Sequence, residues 1–380
     1  MAGPRTMVTE VGTGLGLLGS GDLDEILRSR PAVMRTLSPE DWDDLAALRA
    51  SGSYDAEFHA AWENGKAFLS AADGLRGRRP VVVEWKGSGR APGDEVAPID
   101  LRVDHVYLIS CKYLSHILFN VSPANVFDLL RAGGSVRRGR DEVTDWYAEV
   151  APEQYQELYA VVRWALVAGP PVGAAAGTNP AGDAPALPGL GFGTEPDGGA
   201  VSAHSRDEIA GLPERATELT TAQRKALGLA LRGGWPDGAR EAYQTLSNQV
   251  ASASAARWRA ALSGGTAASE SMLWRLLRMG ATPYFVLGTD DATSLRLRIA
   301  TAWDWRQQFA LRRFEVFAQP GGQPRVGWTA TVRHRATGET TEVAGHIEVR
   351  WSHGRFAGNP EAKGYLDTPH HLVPGYFALR

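Results

Sequence analysis

Five polar residues with the means to do chemistry lie within one short stretch of this chain. Residues 79–113 are otherwise rich in β-branched and aromatic side chains, a composition typical of buried strands. Burying a charge costs several kcal/mol unless the charge is paired or bound to a cation. Two carboxylates and a lysine on neighbouring strands could therefore hold a metal ion between them. The residues concerned are Glu84, Lys86, Asp100, Ser110 and Lys112.

Three β-like runs make up this stretch and must position these side chains. Gly/Pro-rich residues separate the first two runs, so the pattern predicts an antiparallel meander of three strands. In the third run, the two-residue period places Ser110 and Lys112 on one face of the sheet and Cys111 on the other. The runs are Val81–Lys86, Ile99–Val103 and Val106–Lys112.

The register of the second and third strands decides whether Asp100 can reach Ser110. Facing residues of an antiparallel pair share a sheet face, so the two meet only if paired residue numbers have an even sum. A two-residue turn at Asp104 and His105 would give an odd sum and turn Asp100 to the other face. We therefore predict a three-residue loop, or a bulge, at Val103–His105.

The order of these residues resembles a known enzyme superfamily. Pro98-Ile99-Asp100 is followed after nine residues by Ser110-Cys111-Lys112, and then by a segment with helical apolar spacing. This arrangement resembles the PD-(D/E)XK nuclease superfamily over residues 55–130. The resemblance implies an α/β (α+β) fold with a restriction-endonuclease-like mixed sheet flanked by helices. It also implies cleavage of nucleic-acid phosphodiesters, with DNA as the partner and Mg²⁺ or Mn²⁺ as the cofactor, in restriction, antiphage defence or repair.

The same resemblance assigns roles to individual residues. Asp100 would ligate the metal ion, and Lys112 would orient or activate the attacking water or stabilise the charge of the transition state. Ser110 stands where the family has an acid, and a neutral hydroxyl is a weak ligand for Mg²⁺. Glu84 on the preceding strand is our candidate for the displaced acid, which would make Asp100 and Glu84 the metal ligands.

Other interpretations of the sequence stay open. Without a second acid, the fold could bind nucleic acid or act as a scaffold without cutting. A rival register uses Asp73 with Glu84-Trp85-Lys86, but a Gly-Ser-Gly loop follows Lys86, whereas residues 114–120 and 123–130 after Lys112 have helical spacing. A third interpretation places a metal enzyme in the histidine-rich tail. Its ligands would be His353, His370 and His371.

Residues outside the strands could support the site. The helix predicted over Asp55–Ala72 carries Glu57 and Glu63, which are spare candidates for a metal-supporting acid. Arginines flank the predicted strands and could contact a phosphate backbone. They are Arg78, Arg79, Arg90, Arg137 and Arg138.

Length and composition set the broad class. The 380 residues are 43% hydrophobic and carry a net charge of −3, so any affinity for nucleic acid must come from local patches. The single cysteine, Cys111, excludes an internal disulfide, and its place in a β run indicates a buried apolar role. No apolar run is long enough to cross a bilayer and no leader is evident, so we predict a cytoplasmic protein without membrane contact.

A change in composition divides the chain. Residues 169–205 are rich in Gly, Ala and Pro and predict a linker. We predict a nuclease-like domain over residues 1–168 and a C-terminal α+β domain over residues 206–380. The C-terminal domain has many antiparallel strand patterns and would recognise the substrate, a partner protein or a second copy of the chain. Its triplet Glu361-Ala362-Lys363 lies in a segment that we predict to be a loop.

Overall fold

The computed structural model describes residues 3–19, 21–87, 99–113, 117–128, 145–167, 203–290 and 293–380. Up to residue 128 the elements are α1 Pro4–Gly16, α2 Leu23–Ser29, β1 Met34–Arg35, α3 Pro39–Ala50, α4 Asp55–Ser70, β2 Val83–Trp85, β3 Leu101–Val103, β4 Tyr107–Tyr113, β5 Ile117–Val121 and α5 Pro123–Phe127. After it come α6 Trp146–Val150, α7 Pro152–Val167, α8 Ala203–Ala210, α9 Thr221–Ala230, α10 Ala239–Ala261, α11 Thr266–Leu276, β6 Tyr284–Asp290, β7 Thr293–Ile299, α12 Ala302–Gln308, β8 Phe309–Gln319, β9 Arg325–His334, β10 Thr340–Arg350, β11 Glu361–Leu366 and β12 Tyr376–Ala378.

The strands form two sheets, and the predicted α+β class is confirmed. A seven-stranded mixed sheet has the order β1-β2-β3-β4-β6-β7-β12, in which β4 runs parallel to β6. A five-stranded antiparallel sheet has the order β5-β11-β10-β9-β8. Helices α1 and α4 pack on one face of the mixed sheet with Val83, Ile109 and Phe285. None of the described helices is both long and apolar enough to cross a membrane.

Each sheet takes strands from both sides of the predicted linker. Strands β6, β7 and β12 join β1–β4, and β5 joins β8–β11. The two sheets therefore do not correspond to the predicted domains 1–168 and 206–380, because long-range pairing unites strands that composition alone separates. Residues 168–202, which contain most of the predicted linker, lie outside the described residues.

The meander of β2, β3 and β4 has the predicted antiparallel order and register. Leu101 pairs with Ile109 and Val103 pairs with Tyr107, so paired residue numbers have an even sum. The loop has three residues, Asp104 to Val106, one position later than predicted, because Val103 still pairs. Asp104 and His105 adopt left-handed φ values of 49° and 59°. Asp100 and Ser110 consequently lie on the same side of the sheet.

Two local predictions are wrong. The described part of the segment after Lys112 begins with strand β5, although we predicted a helix over residues 114–120. Residues 361–366 form strand β11, although we predicted a loop. The two segments pair with each other, Ala362 opposite Val121, so each supplies the hydrogen-bonding partner that the other needs. Tertiary pairing here overrides local spacing and the flanking Gly and Pro residues.

Glycines allow α1 and α4 to touch backbone to backbone. A Cβ atom at Gly16 would lie 2.3 Å from the Trp62 carbonyl oxygen, and one at Gly65 would lie 2.2 Å from the Thr13 carbonyl oxygen. Gly14 and Gly16 thus lie within helix α1 at packing contacts, Gly14 against Met34 and Gly16 against α4.

We expect Gly65→Ala to destabilise the protein by about 1–3 kcal/mol or more, because helix α4 must move away from α1. The intrinsic preference of Ala over Gly in a helix, about 1 kcal/mol, acts in the opposite direction. Chemical denaturation measures the difference. Gly280→Ala is the control, since a Cβ atom there meets nothing within 4 Å. Equal stability of the two variants would contradict a tight contact between the helices.

Candidate active site

The Asp100 carboxylate is fixed at the point where β3 begins. Its Oδ2 atom accepts hydrogen bonds from the Cys111 backbone N–H at 2.6 Å and from the Ser110 hydroxyl at 3.1 Å. The Asp100 backbone donates to the Ile109 carbonyl and accepts from the Lys86 N–H, so both neighbouring strands hold it. This set of bonds fixes the direction of a half-buried acid, and no basic side chain of the described residues forms an ion pair with it.

Lys112 extends from β4 on the same face as Ser110. Its neighbour on β6 is Gly288, where a Cβ atom would lie 2.7 Å from the Lys112 Cβ, so only glycine leaves room for this side chain. Burial lowers the pKa of the Lys112 amine to about 8, and the nearby Arg278 acts in the same direction. Asp100 and Glu10 oppose that shift. The amine therefore titrates closer to neutrality than an ordinary lysine.

Arg278 is a member of the site that the sequence did not reveal. It follows α11 with a left-handed φ of 58°, and only 2% of its surface is exposed. One guanidinium nitrogen, Nη1, donates to the Tyr284 hydroxyl at 2.7 Å and lies 3.4 Å from the Ser110 hydroxyl. Its Nε and Nη2 have no acceptor among the described residues. The available signal was an arginine inside the apolar run Leu276 to Met279.

Glu84 lies on the expected face, but its charge is already balanced. Arg102, which stands opposite Glu84 on the neighbouring strand, donates a hydrogen bond to each of the two Glu84 carboxylate oxygens. The longer of these bonds measures 3.0 Å. His105 Nδ1 lies 3.4 Å from the same carboxylate. The Arg102 guanidinium holds the pKa of Glu84 below its usual value. The Glu84 carboxylate therefore forms an ion pair within the sheet. It is not among the charges that act on the pKa of Lys112.

Glu10 is a second acid whose charge acts on the pKa of Lys112. It belongs to helix α1, is only 7% exposed, and accepts a hydrogen bond from the Trp85 indole N–H at 2.6 Å. Both Glu10 and Asp100 raise the pKa of the Cys111 thiol, although burial is the main cause of that shift. In the sequence, Glu10 is an isolated acid beside the apolar positions 8 and 11, which gave no sign of a site.

Two carboxylates act on the pKa of Lys112, those of Asp100 and Glu10. Mg²⁺ keeps several waters and is usually held by one or two carboxylates together with substrate phosphates. Asp100 and Glu10 are the carboxylates that such an ion would take here. Within the described ranges no three His, Cys, Asp or Glu side chains group as a metal site. In the tail, His353 lies 3.8 Å from a Glu361 oxygen and His370 stacks on Tyr376.

The other predicted acids have local partners. Glu57 pairs with Arg5 at 3.0 Å, and Glu63 pairs with Lys66 at 3.0 Å. Asp73, the acid of the rival register, lies 3.5 Å from Arg298.

The arginines predicted to contact a nucleic-acid backbone have different surroundings. Arg78 pairs with Asp104 at 2.6 Å and thereby supports the loop between β3 and β4. Arg79 is exposed. Arg90, Arg137 and Arg138 lie outside the described residues.

No protein-family model matches this chain, and neither does any curated protein or solved structure at a significant level. A functional assignment must therefore be argued from the site itself.

Proposed function

We propose that this protein is a metal-dependent phosphodiesterase that acts on nucleic acid, with DNA as the substrate. The observation that carries the proposal is the half-buried Lys112, whose pKa is lowered to about 8, on the same sheet face as an Asp100 carboxylate fixed by the Cys111 N–H. Perturbed lysines next to an oriented acid are more frequent at catalytic sites than elsewhere.

Asp100 and Glu10 would hold Mg²⁺ or Mn²⁺ in this reaction. The ion supplies polarisation of the phosphoryl oxygen and a lower pKa for its bound water. Lys112 stabilises the negative charge that develops on the phosphoryl group, because an amine directed at that charge in a water-poor site acts strongly. Ser110 positions Asp100 through its hydroxyl and accepts from Arg278, so these two residues orient the acid and take no part in bond breaking.

Features of the fold support the same proposal. The resemblance implies a mixed sheet flanked by helices, with the aspartate on one strand and the lysine on the next. Asp100 at the start of β3 and Lys112 on β4 have this relation, and β6 runs parallel to β4. Helix α4 precedes the meander, in the place of the superfamily's opening helix.

A catalytically inactive nucleic-acid-binding or scaffold protein is the second candidate. The pairing of Glu84 with Arg102 favours it, together with Ser110 in the position of the family's acid. In that case, Lys112 and Arg278 would hold a phosphate that is never cleaved.

Replacing each of the two candidate acids, Glu10 and Glu84, by glutamine in separate variants tests the proposal. Glu10→Gln should reduce Mg²⁺-dependent cleavage of DNA or RNA by about 10- to 100-fold, because it removes one carboxylate from the metal and leaves an acceptor for Trp85. Glu84→Gln is the matched control, since its charge serves Arg102, and it should cut like the wild type. Timed digestion with Mg²⁺, Mn²⁺ or chelator gives the rates.

The outcomes separate the candidates. Loss of cleavage in Glu84→Gln alone would restore Glu84 as the metal ligand and exclude Glu10. If the wild type binds these substrates but cuts none of them with either metal, the binding protein is correct and the enzyme proposal fails.

A further inference from the structure

A large cavity lies in the other half of the fold. It opens between helix α9, helix α10 and the segment that joins β10 to β11, and has a volume of about 1260 Å³. None of Asp100, Lys112 and Arg278 lines it. Its described lining contains no carboxylate and five basic side chains, namely Lys225, Arg232, Arg350, Arg355 and Lys363. This composition favours an anionic ligand.

Lys363 is the buried cation of this cavity. Only 7% of its surface is exposed, and no described residue forms a hydrogen bond or ion pair with its amine. Burial lowers the pKa of Lys363, and Arg350 acts in the same direction. Glu348 stands opposite Lys363 in the sheet, but its oxygens pair with Arg325 at 2.6 Å and Arg350 at 3.4 Å. No ion pair within 4.0 Å joins Lys363 to a described carboxylate, although the charges of Glu361 and Glu348 act to raise its pKa.

Further donors near Lys363 are buried and lack acceptors. Arg350 Nη2 and the Trp351 indole N–H have no partner among the described residues. The other nearby acid, Glu361, accepts from Asn120 at 2.9 Å and lies 3.8 Å from His353. Unsatisfied buried donors destabilise a fold, so a native protein that retains several at one cavity calls for an explanation such as a ligand that completes them.

The cavity also has an aromatic wall. The Arg355 guanidinium lies 4.6 Å from the centre of the Trp235 ring. Trp235 and Tyr243 are 4.9 Å apart, and Tyr243 stacks on Trp351 at 6.3 Å. Flat aromatic and guanidinium surfaces are the groups on which nucleobases stack without regard to sequence.

We infer that this cavity binds a nucleotide, with the phosphate on Lys363 and Arg350 and the base against Trp235 and Tyr243. Inorganic phosphate would use only the basic end, and an uncharged aromatic compound only the wall. A free nucleotide and a nucleotide within a single strand present the same chemistry to these residues. The site goes beyond the proposed cleavage reaction, because it shares none of its residues.

Equilibrium binding to the full-length protein tests the inference with three probes: ATP, inorganic phosphate and a short single-stranded DNA oligonucleotide. Lys363→Met should weaken binding of ATP or the oligonucleotide by about tenfold or more, because it removes a charge-assisted contact in a buried setting. Trp235→Ala should weaken nucleotide binding and leave phosphate binding unchanged. Lys66→Met, which removes an exposed lysine that does not line the cavity, is the control and should bind ATP like the wild type.

The probes and variants decide the result. Tighter binding of the oligonucleotide assigns the ligand to a strand, and tighter binding of ATP assigns it to a free nucleotide. The inference is overturned if neither binds, if phosphate binds as tightly as ATP, or if Lys66→Met weakens ATP binding as much as Lys363→Met does. Circular dichroism establishes that the variants fold, and if Lys363→Met does not, Trp235→Ala decides alone.

Discussion

Asp100→Asn should lower metal-dependent cleavage by about 10³-fold, since loss of a metal carboxylate removes several kcal/mol of transition-state stabilisation. The fold should survive, because the asparagine oxygen can still accept from the Cys111 N–H and the Ser110 hydroxyl, the bonds that now fix the carboxylate. Cleavage rates, together with calorimetric titration of Mn²⁺, measure both consequences.

Asp104→Asn is the matched control for this prediction. Asp104 lies a few residues further along, accepts from the backbone N–H groups of Val81 and Val82, and pairs with Arg78. Its replacement should affect stability and leave cleavage and metal affinity unchanged. Undiminished cleavage by Asp100→Asn, with Mn²⁺ bound as in the wild type, would remove Asp100 from the mechanism.

Lys112→Met should lower the cleavage rate by about 10²–10³-fold while leaving the protein at least as stable as the wild type at neutral pH. The amine supplies charge stabilisation, and loss of such a group costs about 10²–10³-fold in rate. The same amine is a cost to folding, because burial and Arg278 lower its pKa to about 8 from 10.5. Methionine fills a similar volume without that charge.

The pH dependence has a defined sign. The folded-state pKa of Lys112 lies below the unfolded value, so the unfolded chain binds more protons between pH 8 and 10.5. Wild-type stability should therefore rise across that window relative to Lys112→Met, by at most about 3 kcal/mol. Below pH 8 the penalty is fully present. Denaturant unfolding of the metal-free proteins at several pH values measures the difference.

The control for this second prediction is Lys66→Met. Lys66 is exposed and pairs with Glu63, so its replacement should change neither cleavage nor the pH dependence of stability. A Lys112→Met protein that is markedly less stable than the wild type and still cuts would show that the amine is structural.

The local sequence was sufficient to predict the strands β2, β3 and β4 of the central meander and their register. Alternation of apolar and polar residues defined its strands, and the parity of the pairing required an odd loop to bring Asp100 and Ser110 together. The three-residue loop at Asp104 to Val106 satisfies that requirement. Ser38 likewise caps α3 through a capping box with Asp41, as its position before Pro39 indicates. These features depend on residues close together in the chain, whose geometry local rules describe.

Only the tertiary structure decided which side chains and strands contact one another. Arg278 comes to Ser110 across 168 positions of sequence, and Glu10 comes to Trp85 across 75. The Glu84 side chain was predicted to bind a metal, but the register of β2 and β3 places Arg102 opposite it. Residues 117–121 are a strand because β11, far along the chain, pairs with them. Sequence patterns report the preference of each segment for its own conformation, whereas a charge or an unpaired strand takes its partner from whatever the folded chain brings beside it.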